Sequence, residues 1–151
     1  MNRFLLALGL LCLLIGCSSS YQPARSPRIV TVVESGMPTF VKDGRSHGGP
    51  ALGVGLVDAV RENPRAERQA RLGRNLAIGG FVLDIAGLGT EVAGLAEVDA
   101  HRGGDRSLGL GLLFGGLGGV IAGTILLLNA QPHMYDAVNI YNDGLDRHER
   151  P

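Results

Sequence analysis

The chain has 151 residues, 14 basic and 14 acidic, so its formal charge is zero. That length allows one modest domain, the charge balance gives no global case for nucleic-acid binding, and 45% hydrophobic residues exclude disorder throughout. The outlying count is glycine: 24 residues of 151, about 16% against a typical ~7%.

Met1–Gly16 is laid out as a secretory signal: Asn2-Arg3, then the apolar run Phe4–Ile15. It ends Leu14-Ile15-Gly16-Cys17, followed by three serines. These residues resemble a bacterial lipoprotein signal with its lipobox. The resemblance implies removal of residues 1–16 and acylation of Cys17, with palmitate-type chains anchoring the protein to membrane lipid. Cys12 lies in the segment that would be removed, so no second cysteine is left for a disulfide. Residue 18 is Ser rather than Asp, so the family's inner-membrane retention signal is absent. That implies the outer membrane, facing the periplasm.

Residues 17–62 read as a tether. Tyr21–Arg28 is rich in Ser, Pro and Arg, Ile29–Glu34 is β-branched enough for one short strand, and Met37–Gly55 reads as loop. Asn63-Pro64 is a helix start, with Asn as cap and Pro at the first helical position. A glycine-rich antiparallel helical hairpin is expected over residues 63–129. Its two apolar runs are Leu76–Val98 and Leu108–Leu128, joined by the polar turn Ala100–Ser107. Asn129 and Pro132 are expected to end the second helix. A short amphipathic helix follows within 130–151, stopped by Gly144. The fold class is therefore mainly α: signal helix, extended linker, hairpin and short terminal helix.

Leu108–Leu128 is 21 residues without a charge, the length of a membrane span. Gly111, Gly115, Gly119 and Gly123 recur there at four-residue steps. Absent side chains let another backbone approach closely, and the pattern resembles the glycine zippers of bacterial envelope proteins. In the first helix Gly73, Gly80, Gly87 and Gly94 recur at seven. Ala77, Asp84, Glu91 and Val98 each follow four residues later, a coiled-coil spacing. Asp84 and Glu91 thus share the glycine face. Each acid costs ~2.5–3.5 kcal/mol at mid-span, while the ten Leu, Ile, Phe and Val of the run return ~3–6 kcal/mol. The first helix is marginal alone and needs the second.

With no basic partner on the second run, the two acids carry protons, pair with another subunit or face water. Two arrangements follow: an oligomeric pore whose polar path they line, or, more simply, a helix partly outside the bilayer with its acids wet. Arg102 and Arg106 in the turn would have to cross if the hairpin spans.

Tyr135-Asp136-Ala137-Val138-Asn139-Ile140-Tyr141-Asn142 closely resembles a segment of uncharacterised envelope lipoproteins of delta-proteobacterial type. There too it follows two apolar helices. The resemblance implies no activity. Tyr141-Asn142 is expected to dock this helix on the hairpin or at the headgroups.

Signs of chemistry are missing from the sequence. His47, His101, His133 and His148 are scattered without metal-ligand spacing. There is no Gly-x-Ser-x-Gly elbow, and Lys42, the only lysine, is not in a phosphate loop. Gly109-x-Gly111 and similar pairs lack the third glycine of a dinucleotide site. The arginines of Arg61–Arg74 lack interleaved aromatics. The expectation is a lipid-anchored envelope protein with a structural or accessory role. It has no catalytic residues, metal or cofactor. Its partners are membrane lipid, further copies of itself or another envelope protein, and not nucleic acid. The alternative is a pore or channel subunit with Asp84 and Glu91 on its path; a hydrolytic enzyme has almost no support.

Overall fold

A computed structural model describes residues 25–34, 37–47, 53–100 and 106–148. The expected signal, Cys17, part of the tether and residues 101–105 of the turn, Arg102 among them, lie outside these. The fold is mainly helical with a small antiparallel sheet. In chain order it comprises β1 (Val30–Glu34), β2 (Met37–Lys42), β3 (Arg45–His47), α1 (Leu56–Ala59), α2 (Pro64–Ala100) and α3 (Ser107–His148). The strands lie in the order β1-β2-β3, with Thr31 opposite Phe40 and Val41 opposite Ser46.

The reading of 37–55 as loop is corrected by β2 and β3. Asp43 and Gly44 both take left-handed backbone angles, φ 53° and 74°. A type I′ hairpin turn requires positive φ at both central residues, and Asp-Gly supplies them at little cost. The turn joins strands whose Phe40 is buried, so the pairing is fixed by packing as well as by the turn.

Asn63 caps α2. Its Oδ1 accepts the Arg65 and Ala66 N–H groups at 3.1 and 3.3 Å, satisfying donors that a helix start leaves open. Glu67 and Arg71 pair one turn further on, at 2.6 Å.

The expected break near residue 130 is absent. α3 runs unbroken for 42 residues through Pro132 and Gly144. Proline inside a helix costs ~3 kcal/mol, but here the ring is exposed and the next turns are held by burial of Met134, Ala137, Val138 and Tyr141. At Gly144 a Cβ would lie 2.9 Å from the Asn63 amide nitrogen, which donates to the Ile140 carbonyl at 3.2 Å. The glycine admits that amide instead of ending the helix.

Two regions of opposite character result. At one end the sheet and α1 pack on the start of α2 and the end of α3, forming a cap. Its core is Ile29, Phe40, Leu56, Val57, Ala59 and Val60 against Ala66, Ala70, Met134, Ala137, Val138 and Tyr141. Beyond the cap the two helices continue as an antiparallel pair, with no other described element against them. Its large apolar residues face outward: Val92 is 66% exposed and Phe114 72%.

Candidate functional site

The pair closes on small residues in both helices. Gly73, Gly80, Gly87 and Gly94 of α2 are all buried. A Cβ at Gly87 would stand 2.6 Å from the Gly116 carbonyl oxygen and 2.7 Å from the Val120 nitrogen. Gly80 meets Gly123 and Leu127 in the same way, and Gly94 meets Gly109 and Leu113. The α3 glycines return the contact: Gly109 lies under Val98, Gly116 under Glu91 and Gly123 under Asp84. Each helix thus places a small residue beneath a larger one from its partner, seven residues apart on both.

This corrects the α3 face. Gly111 and Gly115 have open space where a Cβ would stand. Gly119 lies at the seam's edge, 3.2 Å from the Gly87 Cα by the same measure, and Gly123 is inside it. The reason is angular. A four-residue step turns 40° on a straight helix and carries a row off the contact within two steps, whereas a seven-residue step drifts only ~20°, which slight supercoiling absorbs. The row that packs is Gly109, Gly116, Gly123, Ala130 and Ala137, all buried. Extending the period of the α2 glycines onto the second helix would have found Gly109 and Gly116.

Asp84 and Glu91 both sit on this seam and are half-buried. The Asp84 carboxylate presses on Gly123, and its Oδ1 is buried without a hydrogen-bond partner among the described residues. Glu91 lays its Cγ over Gly116. The two stand two turns apart, ~10.5 Å of helix rise, so they do not share a proton. Both take part in the closure of one pair while staying partly exposed.

The outer surface has two unlike sides. On one stand Ile78, Phe81, Ile85, Leu88, Val92 and Leu95 of α2, with Leu110, Phe114, Leu117, Ile121 and Leu128 of α3. On the other the same helices carry Gly79, Ala86 and Ala93 beside Leu72 and Leu83, with Gly115 and Ala122 beside Leu108. An antiparallel pair with one shared repeat has a two-fold axis normal to the plane of its helices, so the small sides fall together. Gly79 facing Leu126 and Gly119 facing the Leu83 carbonyl, at 3.9 and 3.7 Å from the Cβ positions, mark that side.

The Tyr135–Asn142 segment clamps the cap. Tyr135 stands edge-on to Phe40, ring centres 6.1 Å apart. The buried Tyr141 donates its hydroxyl to Glu62 at 3.1 Å, and its ring lies 4.5 Å from Lys42 Nζ. That ammonium also donates to the Ala59 carbonyl at 2.9 Å. Asn142 holds Ile29, and Arg28 pairs with Asp146. His133 contacts Gln69 at 2.8 Å. Among the described residues no group of three His, Cys, Asp or Glu could hold a metal. Comparison with family models, curated proteins and solved structures finds no match.

Proposed function

We propose that this is a lipid-anchored envelope protein whose helix pair inserts in a membrane and whose cap stays at the surface, a structural or accessory component without catalysis. One observation carries this: the pair is inside-out for water. Its helices close on buried glycines and two half-buried acids, and most of its large apolar side chains face outward. Solvent-exposed apolar area on that scale is unfavourable in water at ~25 cal/mol per Å², and lipid removes the penalty. The dimensions fit as well. Leu76–Val98 and Leu108–Leu128 rise ~34 and ~31 Å as helices, against a hydrocarbon thickness of ~30 Å.

The sequence around Cys17 supports acylation, and its serine neighbour favours the outer membrane with the cap in the periplasm. Eight residues from Cys17 to Arg25 reach at most ~28 Å. An acylated Cys17 therefore keeps the cap on the same membrane face from which the pair inserts. Self-association or a partner in the envelope fits an accessory role. The buried Asp84 Oδ1, turned into the seam of one pair, favours this reading over a pore path between copies.

The test is alkaline carbonate extraction of a Cys17→Ala variant. Loss of acyl labelling with the protein still in the membrane pellet is the expected result. Release into the supernatant would show that the pair does not insert.

A further inference from the structure

On the cap, the β2–β3 hairpin and α1 border an open cleft of about 500 Å³ lined by Arg25, Lys42, Asp43, Arg45, His47 and Asp58. Lys42 lies directly opposite Arg45, and Phe40 opposite His47. The two-residue period of strands therefore puts all four side chains on one face of the sheet. The hairpin turn brings Arg25 to the same place. The Asp43 N–H donates to the Ser26 carbonyl at 3.0 Å, and the Arg25 Cγ lies 3.5 Å from where a Cβ on Gly44 would stand. Like charges directly opposite in a sheet are destabilising, and here a third cation joins them. Lys42 is relieved by the Ala59 carbonyl, the Tyr141 ring and, at 3.7 Å, Glu62. Arg25 and Arg45 are exposed and make no ion pair among the described residues, although two carboxylates line the same cleft.

We propose that this cleft binds a phosphorylated sugar or polyol through its phosphomonoester group, either a soluble molecule or the headgroup of a lipid. The site belongs to the cap alone, so the inference holds whether or not the helix pair inserts. Arginine offers forked donors matched to phosphate oxygens. A monoester presents three terminal oxygens to the two forks of Arg25 and Arg45, and a diester only two. His47 adds a ring N–H beside them. An oxyanion seated there also offsets the repulsion among the cations that the hairpin gathers. The cleft is larger than a phosphate, and its remaining polar wall is acidic. Asp43 and Asp58 accept hydrogen bonds from hydroxyl groups, and they repel a ligand with further negative charge. A phosphate carried on a neutral, hydroxyl-rich body meets both demands.

The full chain in mild detergent is titrated calorimetrically with glucose 6-phosphate, glucose and ethyl phosphate. Glucose 6-phosphate should bind, glucose should not, and ethyl phosphate, a monoester without hydroxyls, should bind several-fold more weakly. Arg25→Gln and Arg45→Gln should each weaken binding about tenfold, the loss expected for one hydrogen-bonded charge. Both side chains are exposed, so circular dichroism should show an unchanged fold. Arg61→Gln, an exposed arginine outside the cleft, should bind as the unaltered chain does. Phosphatidylinositol 4-phosphate in the same detergent, which carries its monoester on a lipid, separates the two sources. Tighter binding of the lipid assigns the site to a headgroup, and tighter binding of the sugar to a soluble ligand. Three results would overturn the proposal: no binding of either phosphomonoester, equal binding of ethyl phosphate, or a loss in Arg61→Gln that matches the loss in Arg45→Gln.

Discussion

The side-chain amide of Asn142 takes both backbone groups of Ile29: its Oδ1 accepts the Ile29 N–H at 2.9 Å, and its Nδ2 donates to the Ile29 carbonyl at 3.0 Å. One helical side chain thus takes the place of a strand partner just before β1. Asn142→Asp keeps the acceptor but turns an oxygen toward the Ile29 carbonyl. It should loosen the segment before β1 by ~1–3 kcal/mol, the cost of a buried polar group left without its bond. Hydrogen exchange at Ile29 should rise accordingly, while α2 and α3 keep their protection. Unchanged exchange would mean the sheet is held by Phe40 and its neighbours alone.

Glycines of α3 should divide into two classes. Gly116→Ala places a methyl 2.6 Å from the Gly87 carbonyl oxygen. Overpacking of that kind costs ~1–3 kcal/mol, against an intrinsic gain of ~0.5–1 kcal/mol for replacing glycine in a helix. Gly111→Ala meets nothing and should show only the gain. Thermal unfolding in detergent reads both, and equal midpoints for the two variants would contradict the seven-residue register.

Asp84→Ala removes a carboxyl with a buried, unpartnered oxygen and repeats the Ala77 environment seven residues earlier. The insertion penalty of ~2.5–3.5 kcal/mol for a mid-span acid disappears with it. Carbonate resistance should improve, and ion leakage from reconstituted vesicles should stay at background in both proteins. Leakage by the unaltered protein that this variant abolishes would restore the pore reading.

Gly44→Ala should destabilise the β2–β3 hairpin by ~1–2 kcal/mol, since φ 74° is disfavoured for any side chain. The Cβ itself meets only Arg25 Cγ at 3.5 Å, ordinary contact. The cost is therefore conformational, and Gly44→Asn should recover part of it. Equal destabilisation by Asn and Ala would point to crowding instead.

Parts of this architecture were written locally and parts were not. The α2 start was legible because Asn63 and Pro64 each carry a cap preference of their own. The seven-residue glycines of α2 were legible because few other spacings compete with them. On α3, seven glycines in 21 residues generate several spacings at once, and only the partner's period selects among them. The four-residue spacing therefore points to Gly111 and Gly115, which do not meet α2. The Asp43-Gly44 turn had a local cue, but proline and glycine around it masked the strands. Continuity through Pro132 had no local cue, because it depends on cap residues more than sixty positions earlier.

The unbroken 42 residues of α3 have a mechanical consequence. As one helix it is ~63 Å long, roughly twice the hydrocarbon thickness. If the pair inserts as proposed above, α3 is a rod half embedded and half free, a lever whose fulcrum lies at the headgroups. Spans tilt by ~20° on average, and swinging the free ~32 Å through that angle moves its tip ~11 Å sideways. Bilayer thickness would thus set where the cap is held above the surface, and so which neighbours it can touch.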